Sequence, residues 1–269
     1  MCYDIKASYE SQLKRAERRG DQDAILEIKQ NLIPYTHLPL FHVSGFSHPR
    51  LLIYTSKNPD IPEIAIWGLI PTWTPDEKSA KKIWNMTLNA KAETLFGKPA
   101  FKDSAKDKRC LIYVDGFFEH HHYKGKSYPF YIQNKHETPF ALAGLWSEWI
   151  NKETAEVIKS FTIITRKATP FMAKIHNNPK LDQPRMPLIV SSEFEDTWLN
   201  DVNNQQELSN FIAEIDAKAN EILSAHTVRK LRGKDYLGNI EEVTGKFNYI
   251  ELENDFNSQD ENINQHSLF

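Results

Sequence analysis

Cysteine is scarce in this 269-residue chain, which has only Cys2 and Cys110. Two thiols cannot build the disulfide framework that staples small secreted domains, and they point to a reducing compartment. Long apolar runs are missing as well. Nothing at the start resembles a signal peptide, and no stretch approaches the roughly 20 apolar residues that cross a bilayer. The expectation is a cytoplasmic protein with no membrane partner. No repeat period is visible, and no interior linker is long or polar enough to divide the body. What remains is ordinary globular material, 40% hydrophobic and 26% charged, in a chain long enough to bury a substantial core.

A positive net charge is also lacking, and a formal −3 argues against a polyanionic partner until its distribution is considered. Residues 241–269 carry seven acids and one base; removing them from totals of 36 and 33 leaves 29 acids against 32 bases. The body, residues 1–240, is therefore positive. The acidity sits in an Asn-rich tail, 241–269, expected to be partly disordered past about Asn254.

Residues 7–32 read as helical with a break at Gly20. After them come β-branched and aromatic runs at 51–55, 63–70, 110–123, 128–134, 140–149 and 160–165, with a hairpin turn in "YKGKSYPF". Helical signals lie at 75–84, 91–98, 169–176, 192–200 and 205–223. Thr74 is the expected cap of the first of these, with Pro75 at the first helical position and Glu77 closing a capping box; Ser191 is the expected cap before 192–200. Strands that follow one another without intervening helices predict an α+β single domain, a curled, mostly antiparallel sheet or barrel-like core flanked by helices.

The opening "MCYDIK" is chemically unusual. Removal of Met1 would leave a thiol and a free α-amine on one residue. Four internal segments accompany it: "WGLIPTW" (67–73), "LNAKAETLF" (88–96), "RCLIYVDGFFEHHHY" (109–123), and "FTIITRKATPFMAKIH" with the later "RMPLIV". Each has a structural explanation on its own. Trp67 and Trp73 suit core anchors, Asn89 a loop residue serving its own backbone, Glu93 a helix-start acid and His176 a helix C-cap. Glu119 suits a solvated strand end. The run His120–His121–His122 cannot chelate one ion as three neighbours, because strand neighbours alternate faces; a metal site would need His120 and His122 plus a distant carboxylate, and the expectation is no metal and no cofactor.

In this order, however, the segments resemble the SOS response-associated peptidase (SRAP) family: Cys at position 2, W-G-L-I-P-x-W, N-A-K-x-E-T, R-C-L-x-x-x-D-G-F-F-E, A-G-L-W, an I-H motif and R-M-P-L-I. "FHVSGFSHP" (41–49) is similar to its Bacteroidetes-type branch. The resemblance covers about residues 1–235. It implies the family's fold and an abasic-site processing protein acting on single-stranded DNA, with peptidase self-processing of Met1; a monomer is expected. It implies Cys2 as nucleophile, and His176, Glu119 and Asn89 as catalytic partners: His176 for acid/base work, Glu119 to hold or relay the amine proton, Asn89 to bond the sugar or the amine. Lys91, Thr165 and Arg185 would contact phosphate, Lys91 standing where the family more often has Arg; Trp67, Pro71 and Trp73 would form a shelf for exposed bases.

The chemistry is consistent with this. An α-amine with a pKa near about 8 and a thiol near about 8.5 both retain nucleophilic fractions at neutral pH. The amine forms an imine with a sugar aldehyde, and the thiol closes a five-membered thiazolidine in an intramolecular step. Ring closure removes the electron sink that would drive strand scission. The sequence departs from the family's common C-G-R-F start with Cys2-Tyr3-Asp4-Ile5. Asp4 should repel phosphate unless a nearby base pairs with it. His120 stands where relatives often carry Trp, and the loop between His176 and Arg185 is longer than in compact members. Two other readings compete: an N-terminal-nucleophile amidohydrolase using Cys2 on amides, and a non-catalytic single-strand binder.

Overall fold

The structure is a computed structural model describing residues 2–219 and 222–252. Strand β1 (Asp4–Ala7) begins two residues after Cys2. Ser8 ends it and caps helix α1 (Tyr9–Arg19) in a reciprocal box: Ser8 Oγ accepts from the Ser11 N–H at 3.1 Å, and Ser11 Oγ accepts from the Ser8 N–H at 3.2 Å. Gly20, at φ 68°, closes α1, and Asp21 caps α2 (Gln22–Glu27). The expected break at Gly20 is present, but the chain starts with a strand. Its four residues, DIKA, alternate polar and apolar but are too few to announce one.

Next come β2 (Leu40–Ser44), β3 (Arg50–Thr55), β4 (Glu63–Trp67), α3 (Glu77–Trp84), β5 (Asn89–Lys91), α4 (Ser104–Asp107), β6 (Arg109–Val114) and β7 (Gly116–Tyr123). They are followed by β8 (Lys126–Asn134), β9 (Phe140–Ile150), β10 (Val157–Lys167), α5 (Pro170–Ile175), β11 (Arg185–Pro187) and β12 (Ile189–Val190). The last are α6 (Glu195–Asn200), α7 (Gln205–Ala219) and β13 (Leu223–Thr227).

Strand β10 pairs with β4 on one side, in parallel, and with β9 on the other, antiparallel. The path β10–β4–β3–β6–β9 therefore closes into a five-stranded barrel, which leaves these strands no free edge. Alternation then sorts the side chains. Leu51, Ile53, Cys110, Ile112, Leu142 and Phe161 fill the interior, while Leu52, Tyr54, Leu111, Tyr113 and Ala143 face outward under α1, α6 and α7. Gly144 has no room for a side chain, since a Cβ would stand 2.5 Å from Ile112 Cδ1 and 2.9 Å from Cys110 Sγ. A second sheet, in the order β13-β8-β7-β1-β2, adds Ile5, Phe117, Phe130 and Ile132 to the same interior cluster. Its other face, with Phe118 and Tyr131, is covered by Val228, Leu231 and Val243.

Several sequence expectations are corrected. The run 110–123 is two strands: the chain leaves the barrel at Asp115, whose Oδ1 accepts from Ser8 Oγ at 2.8 Å, and enters the second sheet at Gly116. A Cβ at Gly116 would lie 2.5 Å from the Ile132 carbonyl oxygen. Helix α3 starts at Glu77 on an Asp76 cap rather than on Thr74, with Asp76 Oδ1 accepting from the Ser79 N–H at 2.7 Å. The stretch 91–98 is not a helix, because Asn89–Lys91 pair in parallel with Ile163–Thr165 and only a short 3-10 turn follows. Ser191 makes no side-chain cap, and α6 begins at Glu195. Residues 241–252, inside the expected tail, pack on the body through buried Val243 and Leu252, and Tyr249 donates to the Val228 carbonyl at 2.9 Å. The tail beyond them lies outside the described residues. Among the described residues, no helix is long and apolar enough to cross a membrane.

Candidate active site at the barrel mouth

Cys2 is fully buried and belongs to the interior cluster. Its Sγ lies 3.9 Å from the Asp4 carbonyl oxygen, and its own carbonyl accepts from Asn89 Nδ2 at 2.8 Å. Asn89 is positioned by the parallel pairing of β5 on β10. Its Oδ1 is buried without a hydrogen-bond partner among the described residues. A buried acceptor left unmatched costs free energy, so this oxygen can accept from a group that enters the site.

Glu119, buried on β7, has its pKa pushed up to about 7 by loss of solvent, with the charge of Asp4 adding to the effect. Burial also raises the Cys2 thiol well above its usual value, and the negative charge of Glu119 reinforces this. His176 follows α5, which starts from a Thr169 cap with Pro170 in the first turn. Its backbone N–H bonds the Met172 carbonyl at 2.8 Å, so the C-cap reading of His176 also holds. Its ring Nδ1 lies 2.7 Å from the Arg185 carbonyl oxygen, which can only accept, so Nδ1 carries the proton and Nε2 is left as the basic nitrogen. Burial lowers the ring pKa to about 4, and the imidazole is neutral at physiological pH. Nδ1 is also 3.6 Å from Glu119 Oε2. The fold thus gathers Cys2, Asn89, Glu119 and His176 from four separate elements: a weakly acidic carboxyl, a neutral base and an amide oxygen around one thiol.

The expected DNA contacts divide. Thr165 and Arg185 are buried and bonded to each other. Arg185 Nε donates to Thr165 Oγ1 at 3.2 Å, Nη2 to the Thr165 carbonyl at 2.6 Å, and the two Nη atoms to Glu93 at 3.2 and 2.8 Å. Burial works against the Glu93 charge, but the Arg185 bonds hold its carboxyl below the usual range. This fork is a clamp between β10, β11 and the turn after β5, not a free cation for phosphate. Lys91, at the end of β5, is exposed. Trp67 is no part of a base shelf: it is fully buried, donates Nε1 to the Leu88 carbonyl at 2.8 Å, and stacks on Phe161. Pro71 is buried too, and of the three only Trp73 is exposed.

Sequence reasoning missed the group around Asp4. This buried carboxylate lies 3.2 Å from His42 Nε2 and 3.3 Å from Arg232 Nη2 through either oxygen, while Tyr236 Oη is 2.7 Å from His42 Nδ1. The base that Asp4 was expected to need is therefore Arg232. It stands 228 positions along the chain, and no local pattern could signal it. The three adjacent histidines diverge: His121 Nδ1 bonds the Lys174 carbonyl at 2.8 Å, and the His122 N–H bonds Asn177 Oδ1 at 2.6 Å.

A family model described as SOS response associated peptidase (SRAP) matches residues 1–234. The abasic site processing protein YoqW of Bacillus subtilis is 35% identical over 185 residues, 67% of this chain and 77% of that protein. The abasic site processing protein HMCES of Xenopus tropicalis is 31% identical over 145 residues, 47% of this chain and 41% of that protein. A crystal structure of a Bacteroides thetaiotaomicron protein aligns with a TM-score of 0.75 at 31% identity, covering 92% of this chain and 100% of that one. With its motifs, its barrel and nearly its whole described length accounted for, the chain belongs to the SOS response associated peptidase family.

Proposed function

We propose that this protein captures abasic sites in single-stranded DNA through Cys2, once Met1 has been removed. The Cys2 amine attacks the aldehyde carbon of the ring-opened sugar and expels one water to give an imine. Cys2 Sγ then adds to the imine carbon, and its proton passes to the nitrogen. The net result is one C–N bond, one C–S bond and one released water. The product is a thiazolidine, which has no imine to drive strand cleavage.

The neighbours match the proton inventory of these steps. Glu119, with a pKa of about 7, is present in both forms near neutrality; it gives a proton to the departing hydroxyl and takes one from the thiol. His176 presents an unprotonated Nε2 to the sugar hydroxyl that must lose its proton on ring opening. Asn89 fixes the Cys2 carbonyl and keeps one acceptor for the sugar. The observation that carries the reading is the docking of residue 2 itself: Asn89 bonds its carbonyl at 2.8 Å, beside a buried carboxyl whose pKa is close to neutrality.

The names of the relatives agree with this, since YoqW and HMCES are both abasic site processing proteins. The test is to mix purified protein lacking Met1 with an abasic single-stranded oligonucleotide and analyse it by denaturing gel and intact mass. A band surviving denaturation, with a mass equal to protein plus oligonucleotide less one water, is expected. Its absence overturns the reading.

A further inference from the structure

The five-stranded sheet has a second functional feature on the face opposite Glu119. Alternation along β7 sends Phe118 and His120 away from the barrel interior. The segment after β13 folds over that face: the Val228 N–H bonds the Pro129 carbonyl at 3.0 Å, Val228 pairs with Lys246, and Leu231 is buried against the sheet. This delivers Lys230 and Arg232 beside β7 and β8. Together with His120, Lys126, Ser127 and Leu231 they line an open pocket of about 490 Å³.

Its cations are held in place. The Lys230 ammonium donates to the Ser127 carbonyl and lies 4.7 and 5.3 Å from the ring centroids of Tyr128 and Tyr249. It forms no ion pair among the described residues. Arg232 is fastened at Nη2 to Asp4, while its Nε and Nη1 make no hydrogen bond among the described residues and its side chain is 65% exposed. Lys126 is a third cation, 3.7 Å from Glu251. The acids paired with these cations, Asp4 and Glu251, are not among the lining residues. A guanidinium with donors to spare beside two ammonium groups matches the oxygens of a phosphate. The pocket is also tied to the reactive end, because Asp4 is two residues from Cys2 and two extended residues span about 7 Å.

We propose that this pocket binds a backbone phosphate of the same strand whose abasic sugar Cys2 captures, so that Arg232 supplies from the far end of the chain the cation that Asp4 denies the cysteine's own strand. The proposal rests on the DNA reading above, so its test uses binding without chemistry. Fluorescence anisotropy with an undamaged single-stranded oligonucleotide, titrated over salt, compares wild type with Arg232→Ala and with Lys126→Ala/Lys230→Ala. Relative to wild type, the variants' log–log salt slope should fall by roughly 0.7 for each contact removed, and their affinity at low salt should drop about five- to tenfold. Unchanged slope and affinity in variants that melt like wild type would overturn the pocket assignment. Should the alanine variants fail to fold, Lys126→Glu, at an exposed position, gives the same readout. Inorganic phosphate provides the other arm: if it raises the wild-type melting temperature, the variants abolish that rise and the DNA salt slope is the same in variants and wild type, the pocket holds a free anion and the strand assignment is overturned. Loss of the covalent band with the salt slope intact would sink the cysteine reading alone.

Discussion

The middle of the barrel and its mouth each hold a fully buried cysteine, and the two differ in almost everything else. Cys110, on β6, has its thiol pKa raised by burial alone; it is apolar filler, packed against Gly144 and Ile112. Cys2 experiences the same desolvation, which the charges of Glu119 and Asp4 reinforce, but it has a carboxyl beside it that can take a proton and an amide bond to its carbonyl. Desolvation by itself makes a thiol inert. Reactivity needs polar groups arriving from elsewhere, and the closed ring of strands admits none at its centre. At the mouth, β1, β5, β7 and the end of α5 converge, each contributing one group.

The contrast is broken most directly by exchanging the two cysteines' fates. Cys2→Ala should abolish the denaturation-resistant adduct completely, while Cys110→Ala should keep it; a gel of both variants decides. Retention of the adduct in Cys2→Ala would mean that the mouth has no privileged thiol. Binding by Cys2→Ala without an adduct is expected and separates capture from mere affinity.

Glu119→Gln is the next largest effect. Crosslinking should slow by about 10²-fold, and the apparent pKa near 7 in the wild-type pH–rate profile should vanish. Stability should move the opposite way. Burial raises the folded-state pKa from 4.5 to about 7, so the contribution is fully present below pH 4.5 and is lost as pH rises through 7. Glutamine escapes that loss. Relative to wild type the variant should gain on the order of 1–3 kcal/mol between pH 4.5 and 8, read from urea unfolding at both ends. A constant difference would mean that the carboxyl is not desolvated.

Cys110→Ala sharpens the other side of the comparison. A sulfur is removed from a fully buried position in the barrel interior, so a small cavity remains, costing about 1–2 kcal/mol. Chemical denaturation measures it. Adduct formation should keep its wild-type rate, and a marked slowing would show that middle and mouth are coupled.

The same division explains what could be read from the sequence. Period-two runs are local, so the barrel strands and their α+β class were legible. Cys2, Asn89, Glu119 and His176 were legible as a resemblance, although nothing in their spacing dictates that they meet. Pairing partners were not legible. That Asn89–Lys91 would extend beside β10 rather than coil into a helix depends on residues some 75 positions away. The split at Asp115–Gly116 depends on which sheet has a vacancy, not on the apolar run itself. Arg185 looked like a phosphate fork because its motif says nothing of Glu93, and Asp4 looked repulsive because Arg232 lies at the other end of the chain.

Trp67 and Trp73 give the smallest and most discriminating test. Six residues apart in one motif, they have opposite surroundings: Trp67 is sealed in the barrel, and Trp73 is 50% exposed with Nε1 bonded to the Pro99 carbonyl at 3.2 Å. Stacking of a base on an aromatic ring is worth about 1–3 kcal/mol, and a half-covered ring should deliver the low end. Trp73→Ala is therefore expected to weaken single-strand binding about fivefold, measured by anisotropy, with unfolding unchanged within about 0.5 kcal/mol. Trp67→Ala should instead lose about 3–5 kcal/mol of stability, and its effect on binding should track the unfolded fraction. If Trp73→Ala binds like wild type, the exposed ring is not a base platform, and recognition falls to the cations alone.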